Sequence, residues 1–164
     1  MSETTSTTEY PLAHRWVLWF HKVDEDDWSI DSYKKLLVLE TLEDYYKMVN
    51  SVTDISAGMF FLMKEGIMPM WEDPANKKGG FWSFRVPKSK STKIWGDISA
   101  AAVGQTLTLD PKQMEYINGI SFSPKISKAI FRIWVNDSRQ NKIKKMVRNE
   151  IDFLDTAEAM WKRY

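Results

Sequence analysis

The sequence predicts an α+β domain with a single curved, mostly antiparallel β-sheet, helices packed on its convex face and a concave ligand-binding face. The first observation is that strand-like runs alternate with amphipathic helical runs along the chain. The second is a hairpin of two strand-like runs joined around residues 124–128. The third is a strand whose face away from the helices carries an arginine and a tryptophan, which is not a core pattern. Because sheets twist, that open face is expected to be concave.

The first elements are a strand and a helix. Residues 14–23, HRWVLWFHKV, are rich in aromatic and β-branched residues and end at the acidic turn DEDD, which predicts a strand. A helix is predicted to begin at Thr41, because Asp44 follows three residues later in an N-capping pattern and apolar residues continue at helical spacing.

The remaining elements flank a long loop and complete the sheet. A strand at 58–66 leads into the loop, and a strand at 80–87 leaves it. Residues 91–105 are predicted to be a helix with Ser91 as its N-cap, and the strands EYINGISFSP and KAIFRIWVN form the hairpin. A last helix is predicted over 137–154, with an apolar stripe formed by Ile143, Met146, Val147, Ile151 and Leu154.

The second hairpin strand, KAIFRIWV, has two different faces. Alternate residues are apolar and are expected to face the helices: Phe131, Ile133 and Val135. The other set is expected to face the open side of the sheet: Ile130, Arg132 and Trp134.

Length and composition indicate one domain. The 164 residues suffice for a sizeable core, and 43% of them are hydrophobic. We expect residues 1–10, rich in Ser, Thr and Glu, to form a flexible tail, and residues 11–164 to form the domain. A net charge of +1 argues against a strong non-specific nucleic-acid binder, but not against recognition of one short phosphate group.

Several classes of site are disfavoured by the residue content. The chain has no cysteine, no apolar run of the ~18 residues that span a membrane, and no apolar signal segment at its start. Phosphate-binding, dinucleotide-binding and hydrolase motifs are absent, and His14 and His21 lack the spacing of metal ligands. These features predict a cytoplasmic protein, with a nuclear pool also compatible, that is not an enzyme and uses no metal, cofactor or membrane.

The loop sequence GIMPMWEDPANKKGGFW, residues 66–82, carries the strongest functional signal. It places Trp71 and Glu72 side by side among residues that build no core, in a chain with 8 tryptophans. An exposed indole needs to be covered, either by the core or by a flat ligand. We therefore expect Trp71 to bind a ligand rather than to join the core.

The chemistry of a tryptophan beside a carboxylate favours one class of heterocycle. A flat base between two indoles gains ~1–3 kcal/mol per stacked ring, and a positive charge on the base adds ~0.5–2 kcal/mol. A carboxylate at the edge accepts hydrogen bonds from guanine N1–H and N2–H₂, a pair that adenine lacks. N7-methylation supplies the charge and leaves this edge free, so Trp71 with Glu72 suits 7-methylguanine.

This loop resembles, nearly position for position, the corresponding loop of the messenger-RNA cap-binding translation initiation factor 4E family. The similarity extends over most of the chain. PLAHRWVLWF resembles the opening strand of the family, TLEDYYKMVN its first dorsal helix, and GISFS with IFRIW its strand pair ending in Trp. The resemblance implies a protein that binds the 7-methylguanosine 5′ cap of mRNA and acts in translation initiation or its regulation.

The resemblance also implies roles at the cap base. Trp71 would stack on one face of the base, and Trp28, the candidate after the opening strand, on the other. Glu72 would read the guanine edge, and Trp134 would pack against the N7-methyl group.

Three basic residues are the candidates for the cap phosphates. Lys125 occupies the position of a phosphate-binding arginine in the family. The family's phosphate-binding lysine falls on Ile130, so Arg132, on the same strand face, and Lys128, in the adjacent turn, are the alternatives. Phe81 replaces a family arginine, which predicts a weaker water-mediated phosphate contact.

A partner surface on the outer, dorsal side of the helices is implied as well. There the family binds a helical motif of a factor 4G-type scaffold or of a 4E-binding regulator, so we expect a monomer within such a complex. The candidate contact residues are Pro11, Leu42, Tyr46, Trp95 and Asp97. Gly96 and Ala100 replace two leucines of the family, which predicts a shallower groove.

Other tryptophans have plainer interpretations. From composition, four are expected in the core: Trp16, Trp19, Trp82 and Trp95. Trp95 thus has two interpretations, as core residue and as part of the dorsal surface. The C-terminal segment DTAEAMWKRY has no clear family counterpart, and its Trp161, Lys162 and Arg163 are predicted to pack near the pocket mouth and touch nucleotides after the cap.

Two alternative functions stay open. A protein-interaction module of the same fold with weak or no cap binding is compatible with the altered phosphate residues. An enzyme that hydrolyses capped or nucleotide substrates is the other, although the sequence shows no carboxylate cluster for a divalent metal.

Overall fold

The computed structural model of the chain describes residues 8–143, 147 and 158–164. Most of the predicted tail at 1–10 and of the predicted helix at 137–154 lies outside these residues. The helices within the described part are α1 (Leu42–Ser51) and α2 (Ser91–Val103). The strands are β1 (Pro11–His21), β2 (Lys34–Thr41), β3 (Met59–Lys64), β4 (Gly80–Pro87), β5 (Ile117–Pro124), β6 (Lys128–Val135) and β7 (Met160–Arg163).

The described strands form one antiparallel sheet in the order β2-β1-β3-β5-β6-β4-β7. β5 and β6 form the predicted hairpin, in which Phe122 lies opposite Phe131. β4 pairs with the other edge of β6, and Trp82 lies opposite Ile133. The predicted α+β class with a single antiparallel sheet is therefore confirmed.

The main core lies between the sheet and the helices. Ile94 and Ile98 of α2 and Met48 of α1 are buried there, in one cluster with Phe131 and Ile133 of β6. Helical and strand periodicity bring these apolar side chains to one interface, whose burial stabilises the fold by ~25 cal/mol per Å² of apolar surface removed from water. The predicted helix-facing set of β6 is thus confirmed.

The opposite face of the sheet carries a smaller apolar cluster. Its buried members are Met59, Phe61, Met63 and Trp134, and Tyr33, Trp19 and Tyr164 pack against it. Trp134 alternates with the helix-facing residues of β6, so its position on the open face agrees with the predicted pattern. This cluster forms the apolar floor on which the site is built.

The two predicted helix starts have different outcomes. At α1, the Thr41 hydroxyl accepts from the Asp44 N–H at 3.2 Å and the Asp44 carboxylate accepts from the Thr41 N–H at 3.2 Å, a complete capping box. The assignment of Ser91 as the N-cap of α2 is wrong. Ser91 is already helical (φ −60°, ψ −44°) after a 3-10 turn at Lys88–Lys90, whereas a capping residue needs extended backbone.

Two strands were not anticipated. β2 is an edge strand in which Leu36 is exposed and Leu39 is buried, and its run of consecutive leucines and valine lacks a clear period of two. β7 has four residues and pairs with β4 across a long sequence separation. In both cases the strand conformation depends on its neighbour in the sheet rather than on local pattern.

Candidate ligand-binding site

A cavity of about 680 Å³ opens on the face of the sheet away from the helices. It brings together the residues predicted for the base site: Trp28, Trp71, Glu72 and Trp134. Aromatic and methionine side chains line much of the remaining surface, and basic residues lie at its edges: Lys125, Arg132, Lys162 and Arg163. An apolar cavity with a few charged groups at its rim suits a flat ligand that carries charge.

Trp28 forms one wall, and its ring is supported from behind. The side chain is 51% exposed, and its indole stacks on the imidazole of His21 at 4.2 Å between ring centres, with the planes 5° apart. His21 is buried, with Nδ1 2.7 Å from the Lys22 carbonyl oxygen and Nε2 2.8 Å from the Asp27 carbonyl oxygen. Both carbonyls are acceptors, and a neutral imidazole has a single N–H, so in that form it donates to one of them only. Its position between the two carbonyls fixes the plane of the imidazole and, through it, that of the indole.

The turn that carries Trp28 is also held by side chains. The Asp27 carboxylate accepts from the Ser29 N–H at 2.8 Å and from the Ser29 hydroxyl at 2.9 Å. These two hydrogen bonds lower the pKa of Asp27, with a smaller effect from His21. A local side-chain turn of this kind fixes the backbone next to the ring.

Trp71 forms the other wall, and here the backbone rather than the ring is supported. The ring is 55% exposed. The Asp73 carboxylate accepts from the N–H groups of Met68 and Ala75, both at 2.8 Å. The amide of Asn76, which is fully buried, donates to the carbonyls of Met68 (3.0 Å) and Met70 (2.7 Å).

A third side chain completes this loop network. Asn118 of β5 donates from its amide nitrogen to the Asn76 Oδ1 and to the Ala75 carbonyl, both at 2.9 Å. The loop is therefore attached to the central sheet through buried amides, which positions Trp71 and Glu72 over the cavity.

Glu72 lines the cavity on the side of Tyr33. Burial raises the pKa of Tyr33 to about 12, and the Glu72 carboxylate adds to the rise. Tyr33 therefore stays neutral near pH 7 and contributes an aromatic surface, 5.6 Å from Phe61 and 6.4 Å from Trp28 between ring centres. Glu72 itself is exposed, so its carboxyl oxygens are hydrogen-bond acceptors at the cavity edge.

Trp134 is the rear wall of the cavity. It is buried, and its Nε1–H donates to the Ser121 hydroxyl at 2.9 Å, which fixes the orientation of the ring. The rings of Phe61, Phe81 and Tyr164 lie around it with centres 6.2, 6.4 and 5.6 Å away.

Arg132 is a cation placed inside an aromatic environment. Its guanidinium carbon lies 4.4 Å from the centre of the Phe81 ring, in a cation–π contact. Burial lowers the pKa of Arg132, and among the described residues its buried Nε has no hydrogen-bond partner. A guanidinium that is desolvated and unpaired on one side is suited to bind an anion.

The other predicted phosphate residues are placed differently. Lys125 lines this cavity and also an adjoining one, whereas Lys128 lines only the adjoining cavity. Lys128 lies four residues before Arg132 on the same strand, ~13 Å away at ~3.3 Å per residue. Lys128 therefore lies outside the base cavity that Arg132 lines.

β7 adds a side of the site, where Lys162 and Arg163 lie at the cavity as predicted, although the sequence pattern did not reveal that they belong to a strand. Lys162, Arg163 and Tyr164 line the cavity, because β7 pairs with β4 at its edge. Trp161 instead packs on the helix side of the sheet, 5.1 Å from Trp82, so its predicted place at the cavity mouth is wrong. Alternation of the MWKR segment is the only available signal, and it is too short to identify a strand.

The predicted dorsal residues are divided between surface and core. Pro11, Leu42, Tyr46 and Asp97 are exposed, Tyr46 at 58%, and Asp97 pairs with Lys93 at 2.5 Å. Trp95 is 3% exposed and packs near Phe60 at 6.3 Å, so its interpretation as a core residue is correct. Its place as a direct dorsal contact is corrected, because its ring points from α2 into the sheet–helix core. Trp16 and Trp82 are buried as predicted, and Trp19 is partly buried.

The described residues lack the features of two other kinds of site. They contain no group of three or more histidines and carboxylates arranged to hold a metal ion. None of their helices has the length and apolar character of a membrane span.

Comparisons with known proteins agree on one family. The model of the family described as eukaryotic initiation factor 4E matches residues 11–163. Eukaryotic translation initiation factor 4E-3 of Caenorhabditis elegans is 27% identical to this chain. The aligned region covers 91% of this chain and 64% of the length of that relative.

Solved structures show the same relationship. C. elegans initiation factor 4E-3, in complex with the 4E-binding protein Mextli and a cap analogue, is 26% identical over 94% of this chain and 92% of the other, with a TM-score of 0.83. Ascaris suum initiation factor 4E-3 bound to an m7G cap is 27% identical over 96% of this chain and 92% of the other, with a TM-score of 0.82.

Proposed function

The chain belongs to the eukaryotic initiation factor 4E family, and we propose that it binds the 7-methylguanosine 5′ cap of mRNA. One observation carries this proposal. Two half-exposed tryptophans, Trp28 and Trp71, line a single cavity together with the carboxylate of Glu72. Aromatic walls that are left exposed around an apolar floor need a flat ligand to cover them.

The base is recognised by its shape, charge and edge. The cationic purine stacks between Trp28 and Trp71, which gains ~1–3 kcal/mol per ring and a further cation–π contribution. Glu72 accepts hydrogen bonds from guanine N1–H and N2–H₂, and Trp134 at the rear faces the N7-methyl group. The positive charge on the base is what distinguishes the cap from unmodified guanine.

Arg132 and Lys125 are the proposed phosphate ligands. Arg132 is held over Phe81 with its Nε unpaired among the described residues, and Lys125 lies at the boundary between the base cavity and its neighbour. Lys162 and Arg163 on β7 extend the positive charge along the opposite rim. Charge-assisted hydrogen bonds from these groups suit the negative phosphate chain of the cap.

The role of the protein is recruitment of capped mRNA in translation initiation, or regulation of that step, without catalysis. Relatives of this chain are translation initiation factors, and one of them is complexed with a 4E-binding protein. We place the corresponding partner, a factor 4G-type scaffold or a 4E-binding regulator, on the dorsal surface formed by Pro11, Leu42, Tyr46 and Asp97. The protein would act there as a monomer in the cytoplasm, and a nuclear pool is compatible with this role.

Titration with 7-methyl-GTP tests the proposal. Quenching of Trp fluorescence is expected at concentrations at least about tenfold lower than with GTP, because only the methylated base carries the charge, and tenfold corresponds to ~1.4 kcal/mol. Equal affinity for the two nucleotides contradicts the mechanism. Failure to bind a cap resin while a scaffold peptide still binds would identify an interaction module of the same fold instead.

A further inference from the structure

A second cavity, of about 870 Å³, adjoins the base pocket and is lined by four cations. They are Arg85 of β4, Lys88 of the following 3-10 turn, and Lys125 and Lys128 of the β5–β6 hairpin. We call this cavity the basic groove. Among the described residues that line it there is no acidic side chain. Since the whole chain carries a net charge of only +1, this concentration of positive charge is local.

The basic groove continues the base pocket along the same face of the sheet. On β6, Trp134 and Arg132 line the pocket, and the next residues of that face, Ile130 and Lys128, line the groove. Arg85 lies directly opposite Ile130 in the β4–β6 register. Successive residues of one face are ~6.6 Å apart, so the groove begins about one such step beyond Arg132. Lys125 lines both cavities and marks the passage between them.

The cations of the groove are not neutralised by neighbouring carboxylates. Within the described part of the chain, none of the four forms an ion pair within 4 Å. Lys88 lies near Asp54, whose pKa is lowered mainly by hydrogen bonds from Ser56 and to a smaller extent by Lys88. The positive potential of the groove is therefore available to an anionic ligand.

The groove also offers apolar surface. Ile126, between Lys125 and Lys128 in the hairpin turn, is 100% exposed, and Val23 on the opposite side is also exposed. Apolar side chains interleaved with cations suit a ligand that has both phosphates and flat or apolar groups, as single-stranded RNA has.

We propose that the basic groove binds the first nucleotides of the RNA chain that follows the cap. Backbone phosphates contact Arg85, Lys88 and Lys128, and a base or ribose covers Ile126. RNA is favoured over an acidic peptide because the groove joins the base pocket at Lys125, where the cap phosphates are proposed to lie. This inference rests on the proposed cap-binding function for the direction in which the RNA leaves the pocket.

The experiment compares four probes by fluorescence anisotropy or calorimetry across a salt series. The probes are 7-methyl-GTP, a capped RNA pentanucleotide, the same RNA with an unmethylated 5′-triphosphate, and an acidic peptide of the same charge. The test variant is Arg85→Gln with Lys88→Gln. One control, Lys47→Gln with Lys112→Gln, removes equal charge from surfaces outside both cavities, and a second, Lys162→Gln with Arg163→Gln, removes it from the β7 rim.

The expected result has three parts. The unaltered protein binds the capped pentanucleotide at least about fivefold more tightly than 7-methyl-GTP at low salt, and this difference in affinity is called the increment. The test variant loses the increment, while its affinity for 7-methyl-GTP is unchanged. Its salt slope for RNA becomes less steep by about 1.4, since each phosphate contact to single-stranded nucleic acid contributes ~0.7. The Lys47/Lys112 control keeps both the increment and the slope.

Other outcomes separate this inference from the cap proposal. Equal binding of 7-methyl-GTP and capped RNA overturns the groove and leaves cap binding intact. If only the Lys162/Arg163 variant loses the tighter binding of capped RNA, the RNA follows β7 and the groove proposal is overturned. If the acidic peptide binds more tightly than the RNA, the ligand of the groove is an acidic segment, and the proposal is again overturned. If 7-methyl-GTP does not bind but the triphosphate RNA does, with loss in the test variant, the groove stands and the cap proposal fails.

Discussion

Trp28 and Trp71 stand on two sides of one cavity, but the structure supports them in different ways. At Trp28 the ring itself is held, because the indole stacks on His21 and the two ring nitrogens of His21 lie 2.7 and 2.8 Å from backbone carbonyl oxygens. At Trp71 the ring has no aromatic partner among the described residues, and the backbone beneath it is held by Asp73 and Asn76.

This difference indicates how such a site accepts its ligand. A stacked aromatic pair contributes ~0.5–1.5 kcal/mol beyond burial, so rotating the Trp28 ring away from His21 costs that free energy. Trp28 is therefore a pre-formed wall of the cavity. Trp71, exposed on a hydrogen-bonded backbone, is expected to change its side-chain rotamer and close onto the proposed base. We expect mutations of the two wall residues and of the residues that support them to separate effects on affinity from effects on stability.

The largest effects are expected from the residues that contact the base. Trp71→Ala and Glu72→Ala should each weaken binding of 7-methyl-GTP by more than about tenfold, i.e. over ~1.4 kcal/mol. Because both side chains are exposed, the melting temperature should stay unchanged. Calorimetric titration with parallel thermal unfolding provides the measurement, and retained affinity in both variants would remove the base assignment.

Asn76→Ala should have the next largest effect and should act on both quantities. The substitution removes the amide donor to the carbonyls of Met68 and Met70 and the acceptor for one of the two hydrogen bonds that the Asn118 amide donates, which costs ~1–3 kcal/mol in the free energy of unfolding. A loosened loop should also lower the affinity for 7-methyl-GTP by roughly threefold or more, since ordering it then opposes binding.

The matched control for this prediction is Lys77→Ala, which alters the exposed neighbouring residue and leaves the amide network intact. Chemical denaturation and titration of both variants decide the matter. If Asn76→Ala binds and unfolds like Lys77→Ala, the loop does not depend on the buried network.

His21 tests the other wall, with an expected effect on affinity similar in size to that of Asn76→Ala. His21→Ala removes the ring behind Trp28, and we expect affinity to fall by about three- to fivefold. His21→Phe keeps an aromatic surface but removes the contacts of the ring nitrogens with the two carbonyls, so its affinity should lie between those of the alanine variant and the unaltered protein. Wild-type affinity in both variants would show that Trp28 needs no support.

The smallest effect on binding is expected from the capping box of α1, on the far face of the sheet. The pKa of Asp44 is lowered, chiefly by the hydrogen bond from the Glu40 N–H and also by Lys47 and Thr41. A lowered carboxyl pKa contributes stability that is present above the unfolded value of ~3.9 and is lost as pH falls through the folded value.

Asp44→Asn should therefore be less stable than the unaltered protein at pH 6, and the difference should shrink below about pH 3.9. Affinity for 7-methyl-GTP at pH 7 should not change, because α1 does not line the cavity. Denaturant titrations at several pH values provide the test, and a difference in stability that is independent of pH would contradict the role of the carboxylate.

Local sequence patterns predicted much of the fold. Residues 80–87 were predicted as a strand and form β4 with those bounds, and the capping box at Thr41 forms as predicted. These features depend on neighbours in sequence: alternation of apolar residues along a strand, and hydrogen bonds between a side chain and the next turn of backbone. The edge strands β2 and β7 were not predicted. The run of β2 lacks a clear period of two, and β7 is short and pairs with a strand that is distant in sequence.

That the proposed base-binding residues meet in one cavity was also largely predictable, because the signal is concentrated in the dipeptide of Trp71 and Glu72. The support of the site was not. His21 had no spacing that suggested a site, yet it lies under Trp28, and Asn76 and Asn118 are 42 residues apart in the chain. Such contacts arise from the sheet order, which no local pattern encodes.

For this protein, the amino-acid order alone was enough to establish the residue chemistry: two exposed indoles, a neighbouring carboxylate and a strand with Arg132 and Trp134 on one face. The folded chain established which of these groups meet. It separated Lys128 from Arg132, buried Trp95, brought β7 to the rim and joined four cations into one groove. The reason is physical, since chemical character and strand or helix periodicity are local properties, whereas the convergence of side chains depends on pairings between distant segments.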